Sequence, residues 1–368
     1  MSPLFFRTKF KKLELPLFFP DATRAVIKTL DSKDIENTKT KGVLVNTYHL
    51  YKDIGEETIK KNKGIRNFMN WQGGLISDSG GFQVLTLAKE SRQKGKITDR
   101  GVVFSPITNK KVILTPEKSI EFQMIIEPDM VIVLDDFTNP KDDYKKAKES
   151  VERTVEWAKR SKEKFLSICN KKRIKEKERP YLLGVVQGGN FLDLREECVK
   201  KLVEIGFDGL GFGGWPIDEN GKFNFKVADL IAKNTPKNYF LFGLGIGKPE
   251  EIIRCFDLGF SLFDCVLPTR DARHKRLYVY NAPSIEKINI RKKNFYSFYF
   301  PDKEKYRYEN KPISNSCDCL LCKNYSKSYL FHLFKIKEMS ALRLATIHNL
   351  RFYSILMEKL KEERKVKL

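Results

Sequence analysis

The chain has 368 residues, 69 of them Lys or Arg against 47 Asp or Glu, and a formal net charge of +22. That length suits one large α/β barrel with an appendage or two ordinary domains, and a basic surplus of this size suits a polyanion whose phosphates Lys and Arg neutralise. Seven cysteines, three of them clustered, give no even disulfide framework and fit a reducing cytoplasm, and runs no longer than Met130-Val131-Ile132-Val133-Leu134 exclude a bilayer span.

From Met1 to Leu13 the chain is basic and has no acidic residue, the composition of a transit peptide. Leu15-Pro16-Leu17-Phe18-Phe19-Pro20 leads straight into a first strand, however, which reads as the mature start. Short β-rich runs then recur at Leu17–Pro20, Val43–Asn46, Leu75–Asp78, Met130–Asp135, Leu182–Gln187, Gly209–Gly214, Tyr239–Gly245 and Leu262–Leu267. Helical patterns separate several of them: Val151, Val155 and Ala158 share a face, as do Leu202, Ile205 and the residues before them. Apolar strands alternating with helices predict parallel βαβ units, and eight of them predict an irregular eight-stranded TIM (β/α) barrel over residues 1–275.

One insertion interrupts the repeat. Val102-Val103-Phe104 and Val112-Ile113-Leu114 flank Asn109-Lys110-Lys111 and predict an inserted hairpin. Lys171 to Arg179 is a charge run that reads as a solvated helix end or loop. Beyond Arg273 the alternation stops, and residues 276–368 form a second unit: a strand at Tyr278–Asn281, an aromatic and basic stretch from Ile288 to Tyr308, and C-terminal helices closing on the barrel. Leu350, Tyr353, Met357 and Leu360 give the last helix one apolar face.

In that second unit Cys317, Cys319 and Cys322 form a Cys-x-Cys-x2-Cys run, and His348 follows. Three thiolates and one imidazole make the closed tetrahedral set of a structural zinc site, with no position left open for water. The chemistry must then come from elsewhere. In this barrel class it sits at the C-terminal ends of the strands, which here carry Asp78, Asp135, Gln187, Gly213-Gly214 and Asp264. Barrel-mouth carboxylates are expensive to bury without a ligand or a reaction to serve. Asp264 precedes a basic stretch with Arg270, Arg273, Lys275 and Arg276, a sensible setting for attack on a sugar carbon within a phosphate backbone. The paired-carboxylate logic of retaining glycosidases gives one Asp the attack and the other the proton.

Four motifs in order carry a resemblance. Asn46-Thr47-Tyr48-His49-Leu50, Asp78-Ser79-Gly80-Gly81-Phe82-Gln83, Phe263-Asp264-Cys265-Val266-Leu267-Pro268-Thr269-Arg270 and the Cys-x-Cys-x2-Cys…His set resemble the tRNA-guanine transglycosylase family, from about Leu15 to Tyr353. The resemblance implies replacement of guanine at the first anticodon position of U-G-U tRNAs by a 7-deazaguanine, on the way to queuosine. Asp264 matches the nucleophile toward ribose C1′ and Asp78 the general acid/base. Asp135, Gln187 and Gly214 match residues that hydrogen-bond the base edge, and Phe82 sits where a ring stacks on it. Arg270, Arg273, Lys248 and Lys275 are the expected cations beside the anticodon loop. The resemblance also implies a homodimer with the zinc-bearing region near the interface. Phe137 stands where bacterial relatives carry a cysteine, and Trp215-Pro216 replaces a Leu-Ala-Val type sequence, so the incoming base is either the 7-aminomethyl precursor or queuine. A DNA-modifying deazaguanine transferase and a non-catalytic tRNA-binding subunit are the alternatives.

Overall fold

Alternation along eight short strands builds the centre of the molecule. The computed structural model describes residues 3–81, 96–104 and 112–367; Phe82 and the hairpin turn at Asn109–Lys111 lie outside them. In chain order the strands are β1 (Phe5–Arg7), β2 (Lys12–Glu14), β3 (Leu17–Pro20), β4 (Gly42–Asn46), β5 (Gly74–Asp78), β6 (Lys96–Thr98), β7 (Gly101–Phe104) and β8 (Val112–Leu114). They continue as β9 (Met130–Ile132), β10 (Tyr181–Val186), β11 (Gly209–Phe212), β12 (Phe240–Gly243), β13 (Leu262–Cys265), β14 (Leu277–Tyr280) and β15 (Tyr296–Tyr299). Eight of these form one parallel sheet in the order β3-β13-β12-β11-β10-β9-β5-β4. A parallel bridge between Asp21 and Leu44 and a 2.7 Å bond from Ala22 N–H to Leu44 C=O bring its two edges together. The irregular eight-stranded α/β barrel expected from the sequence is the observed architecture.

Side chains on a strand alternate between faces. Leu17, Phe19, Leu44, Ile76, Met130, Ile132, Leu183, Val185, Phe240, Phe242 and Leu262 form one buried inner cluster. Their neighbours Phe18, Val131, Leu182, Val186, Leu241 and Phe263 face outward and pack with helical residues such as Val151, Ala158, Leu202 and Ile231. The helix Tyr144–Lys171 starts where the Asp143 side chain accepts from Lys146 N–H, and it stops at the charge run predicted to be a helix end. Four strands are shorter than expected. β11 stops at Phe212 and β12 runs only from Phe240 to Gly243. β9 ends at Ile132, and β13 ends at Cys265 because a helix begins at Leu267 with proline in its first turn.

The segment before β3 holds an antiparallel β1–β2 hairpin that the sequence reading did not anticipate, since three-residue strands are too short to show periodicity. Its Phe6, with Leu13 and Leu15, joins the inner cluster, and Phe6 meets Phe19 and Phe240 edge-on at 5.7 and 6.0 Å. The hairpin closes the barrel floor. The insertion pairs β7 with β8 as predicted and adds β6 on the other edge of β7.

Beyond the barrel, β14 and β15 pair antiparallel, followed by helices Leu320–Asn324, Lys327–Lys335 and Met339–Lys367. Leu350, Tyr353, Met357 and Leu360 are buried, as their spacing predicts. The Tyr353 ring lies 4.6 Å from Phe18 and its hydroxyl donates to Gly247 C=O at 2.6 Å, which fastens the last helix to the barrel wall. Among the described residues no helix is long and apolar enough to cross a membrane.

Candidate active site and metal centre

Period two, extended one step past the inner cluster, puts polar side chains at the barrel mouth. Leu17 and Phe19 lead to Asp21, Leu44 to Asn46, Ile76 to Asp78, Leu183 and Val185 to Gln187, and Leu262 to Asp264. Asp135, just past β9, joins this layer through a 2.6 Å bond from Gln187 Nε2 to its Oδ2. The strand order divides the mouth in two. Asp135, Gln187 and Gly213-Gly214 follow β9, β10 and β11, whereas Asp264, Asp21, Asn46 and Asp78 belong to β13, β3, β4 and β5.

The first half is a rigid edge of donors and acceptors. Gln187 Oε1 accepts from Thr138 N–H at 3.1 Å, so its amide is oriented with nitrogen toward Asp135. Gly214 has φ of 81°, and a β-carbon there would sit 3.4 Å from Gln187 Oε1 and from Arg195 Nη2. Only glycine leaves that edge open. Arg195, fully buried, holds the backbone beneath: Nε donates to Gly189 C=O at 2.8 Å, and Nη1 donates to Val186 C=O at 2.5 Å and Gly213 C=O at 2.9 Å. Burial depresses its guanidinium to about 10.

The second half is carboxylate-rich. Burial raises Asp78 to about 6 against the bond from Asn46 Nδ2 to its Oδ2 at 2.7 Å and the N–H groups of Gly80 and Ser79. Gly80, at φ 81°, turns the chain so closely that a β-carbon would meet Tyr48 N at 2.7 Å. Burial, and then the Asp21 and Asp78 charges, hold Asp264 well above the usual carboxylate range, offset by Gly245 N–H donating to Oδ1 at 3.1 Å. Asp135 is pushed up to about 7, chiefly by burial, with Asp78 and Asp136 adding to it against the Gln187 bond.

Comparison with the other buried aspartates isolates the site. Asp34 is paired with Arg343, Asp129 with Arg66, Asp136 with Arg153 and Asp271 with Arg276. Asp264 is nearly as buried and has no ion-pair partner among the described residues, and the less buried mouth aspartates Asp21, Asp78 and Asp135 have none either. A carboxylate kept at such a disadvantage in the fold is a reactive-group candidate.

The remaining expected residues are placed unevenly. Arg270 and Arg273 lie in the last turn of Leu267–Arg273, next to the mouth, and Arg273 Nη1 donates to Thr269 C=O at 2.8 Å. Lys275 pairs with Asp302 at 3.1 Å and Lys248 with Glu251 at 2.9 Å, so each already has an anionic neighbour. Phe137 packs beside Tyr48, Leu134 and Trp157, and Trp215 is half-exposed. Phe82 falls outside the described residues. Sequence reasoning missed Asp21, Asn46 and Arg195; parity along β3 and β4 would have reached the first two.

At the other pole, Cys317, Cys319, Cys322 and His348 bring their ligand atoms within 4.8 Å of one another, so the cluster fits a zinc site. His348 Nδ1 lies 3.6 Å from Cys319 Sγ and 3.2 Å from Cys322 Sγ. His348 Nε2 lies 2.8 Å from Tyr278 C=O, a contact that fixes the ring with Nδ1 toward the sulfurs. The next residue, Asn349, donates to Pro268 C=O at 2.9 Å and Arg276 C=O at 3.0 Å and accepts from Tyr278 N–H at 3.0 Å. The last helix therefore links the cluster to the segment that follows Asp264.

The chain matches the family model described as queuine tRNA-ribosyltransferase over residues 5–365. It is 38% identical over 356 residues, 96% of this chain and 89% of the relative, to the queuine tRNA-ribosyltransferase of Blochmanniella pennsylvanica (strain BPEN). Against the protein of that name from Acinetobacter baumannii (strain SDF), identity is 37% over 351 residues, 95% of this chain and 86% of the relative. Against that from Haemophilus ducreyi (strain 35000HP / ATCC 700724) it is 36% over 351 residues, 95% and 85% respectively.

Proposed function

We propose, for a chain that belongs to the queuine tRNA-ribosyltransferase family, the exchange of guanine at the first anticodon position of U-G-U tRNAs for a 7-deazaguanine base. In this reading an Asp264 oxygen attacks ribose C1′, the bond from C1′ to guanine breaks, and Asp78 supplies the proton that the departing base needs. The incoming base returns a proton to Asp78 as its nitrogen displaces Asp264 from C1′. No water is consumed and nothing is oxidised or reduced. Asp135 and Gln187 accept from and donate to the base edge, and Gly214 offers its backbone.

The observation that carries the reading is the isolation of Asp264. It is the most buried of the mouth aspartates, none of which has an arginine partner among the described residues; it faces into the mouth, and Asp78 shares that half of the layer. A carboxyl raised to about 6, as Asp78 is, can give a proton and take one back near neutral pH.

The barrel over residues 1–275 is, in this proposal, the catalytic unit, and residues 276–368 carry structural zinc on Cys317, Cys319, Cys322 and His348. That metal would hold the subdomain together and supply no chemistry to the exchange, since all four donors are protein. Arg270 and Arg273 are the cations expected at the anticodon loop. A homodimer is part of the same reading, supported by the exposed, stacked Tyr325–Tyr329 pair beside the cluster, with ring centroids 5.1 Å apart. A reducing cytoplasm suits seven cysteines that are all free thiols.

The test is a denaturing gel. Wild type forms a covalent adduct with a U-G-U tRNA, and Asp264→Asn forms none while melting no lower than wild type. An adduct formed by Asp264→Asn would remove the nucleophile assignment, and equal incorporation of labelled guanine into duplex DNA would favour the DNA-modifying alternative. Competition between the 7-aminomethyl base and queuine in the same assay decides the incoming base.

A further inference from the structure

We propose that Asp21 is a positioning residue that sets the charge on Asp264: the two carboxyls hold one proton between them, so that Asp264 is only partly ionised in the substrate-free mouth. The inference rests on the reading of Asp264 as the nucleophile.

Geometry brings the two together. β3 and β13 are parallel neighbours, with Phe19 opposite Asp264 and Pro20 opposite Cys265, so Asp21 continues the strand that flanks Asp264. Inward parity from Leu17 and Phe19 points Asp21 into the same polar layer. The bridge from Asp21 to Leu44 fixes that position at the seam where the barrel closes. Among the described residues no donor hydrogen-bonds the Asp21 carboxyl, and Asp264 receives only Gly245 N–H.

The charged groups around the pair offer no relief. Asp78 on β5 adds a third carboxylate, and Asn46 on β4 is neutral and already donates to Asp78. Cys265 on β13 carries a thiol that burial keeps protonated, and it is Cys265 that feels Arg270. Arg24, on the loop after Asp21, pairs with Asp53 at 2.8 Å. Burial and then Asp78 raise Asp21 to about 7, and burial followed by the Asp21 charge raises Asp264 well above the usual carboxylate range. Two carboxyls in one site without a cation do not both ionise near neutral pH; they titrate as a pair. The consequence for a polyanionic substrate is direct, since a mouth that keeps one proton presents one charge less to an incoming phosphate chain.

The experiment is single-turnover adduct formation with the tRNA from about pH 5 to 9, for wild type, Asp21→Asn and Asp21→Glu. Asparagine removes the competitor for the charge, so the acid limb moves down by about one pH unit, and at low pH the variant forms adduct up to about tenfold faster. Glutamate restores the wild-type limb. Superimposed profiles, or an Asp21→Asn rate reduced equally at every pH, overturn the proposal. Carbon-13 NMR titration of the aspartate carboxyls, in wild type and Asp264→Asn, tests the same pair without catalysis or an Asp21 variant. Asp21 must titrate at lower pH once Asp264 is neutral, and an unchanged titration overturns the proposal. If wild type forms no adduct at any pH, the nucleophile reading fails while the NMR result still decides whether the proton is shared.

Discussion

Replacing Asp135 by asparagine should stabilise the ligand-free protein, and by an amount that depends on pH. The Asp135 carboxyl is raised from 3.8 to about 7, mainly by burial. Below about pH 4 both folded and unfolded chains carry the proton, so the residue has no effect on stability. As pH rises, the unfolded chain releases its proton first, and stability is lost progressively until the folded carboxyl titrates near 7. At about 1.4 kcal/mol for each pH unit between the two values, the loss above neutrality is on the order of 4 kcal/mol. Asparagine carries no such penalty, and its amide oxygen can still accept from Gln187 Nε2, which lies 2.6 Å from Asp135 Oδ2. Thermal melts from about pH 4.5 to 8.5 should therefore start together and separate, with the variant higher at the alkaline end. The same variant should bind a 7-deazaguanine at least about tenfold more weakly, because the base loses its charged acceptor. Parallel melting curves, or a variant less stable above neutrality, would refute the idea that burial is what raises this carboxyl.

Two further perturbations probe the supports of the site. Arg195→Met leaves the carbonyls of Val186, Gly189 and Gly213 without their shared donor. It should cost about 3–5 kcal/mol in a urea titration and weaken base binding in calorimetry, with Arg195→Lys restoring neither; a variant as stable as wild type would show that these bonds do not hold the base edge. Removing the metal with a chelator, or Cys322→Ala, should lower the melting point by the equivalent of about 4 kcal/mol if free metal stands a thousandfold above its Kd; melting that ignores the chelator would refute a structural metal in the cluster.

What could be read from the sequence follows a physical division. Strand existence and the inward parity of Asp78, Gln187 and Asp264 are local properties, because period two is written in neighbouring residues. The cluster of Cys317, Cys319, Cys322 and His348 was legible for a different reason, since soft donors at that spacing have few other uses. Asp21 escaped because Pro20 looked like the end of the strand, although parity from Phe19 passes through it. Arg195 was illegible: flanked by Asp193, Glu196 and Glu197, it reads as one more surface charge on a helix. Only the tertiary approach of β10 and β11 turns it inward. The β1–β2 hairpin was hidden by its brevity, and its role as the barrel floor depends on contacts with Phe19 and Phe240 far along the chain.

His348 and Asn349 are adjacent on one helix, yet one faces the cysteine cluster and the other grips Pro268, four residues after Asp264. This arrangement confounds a common diagnostic. A chelating compound that unseats His348 would also slacken the segment carrying Asp264, so inhibition would scale with metal loss as though the metal were the reagent. In an inhibitor screen such compounds would pass for active-site ligands. Competition against the base, which a chelator does not mimic, is what would separate the two.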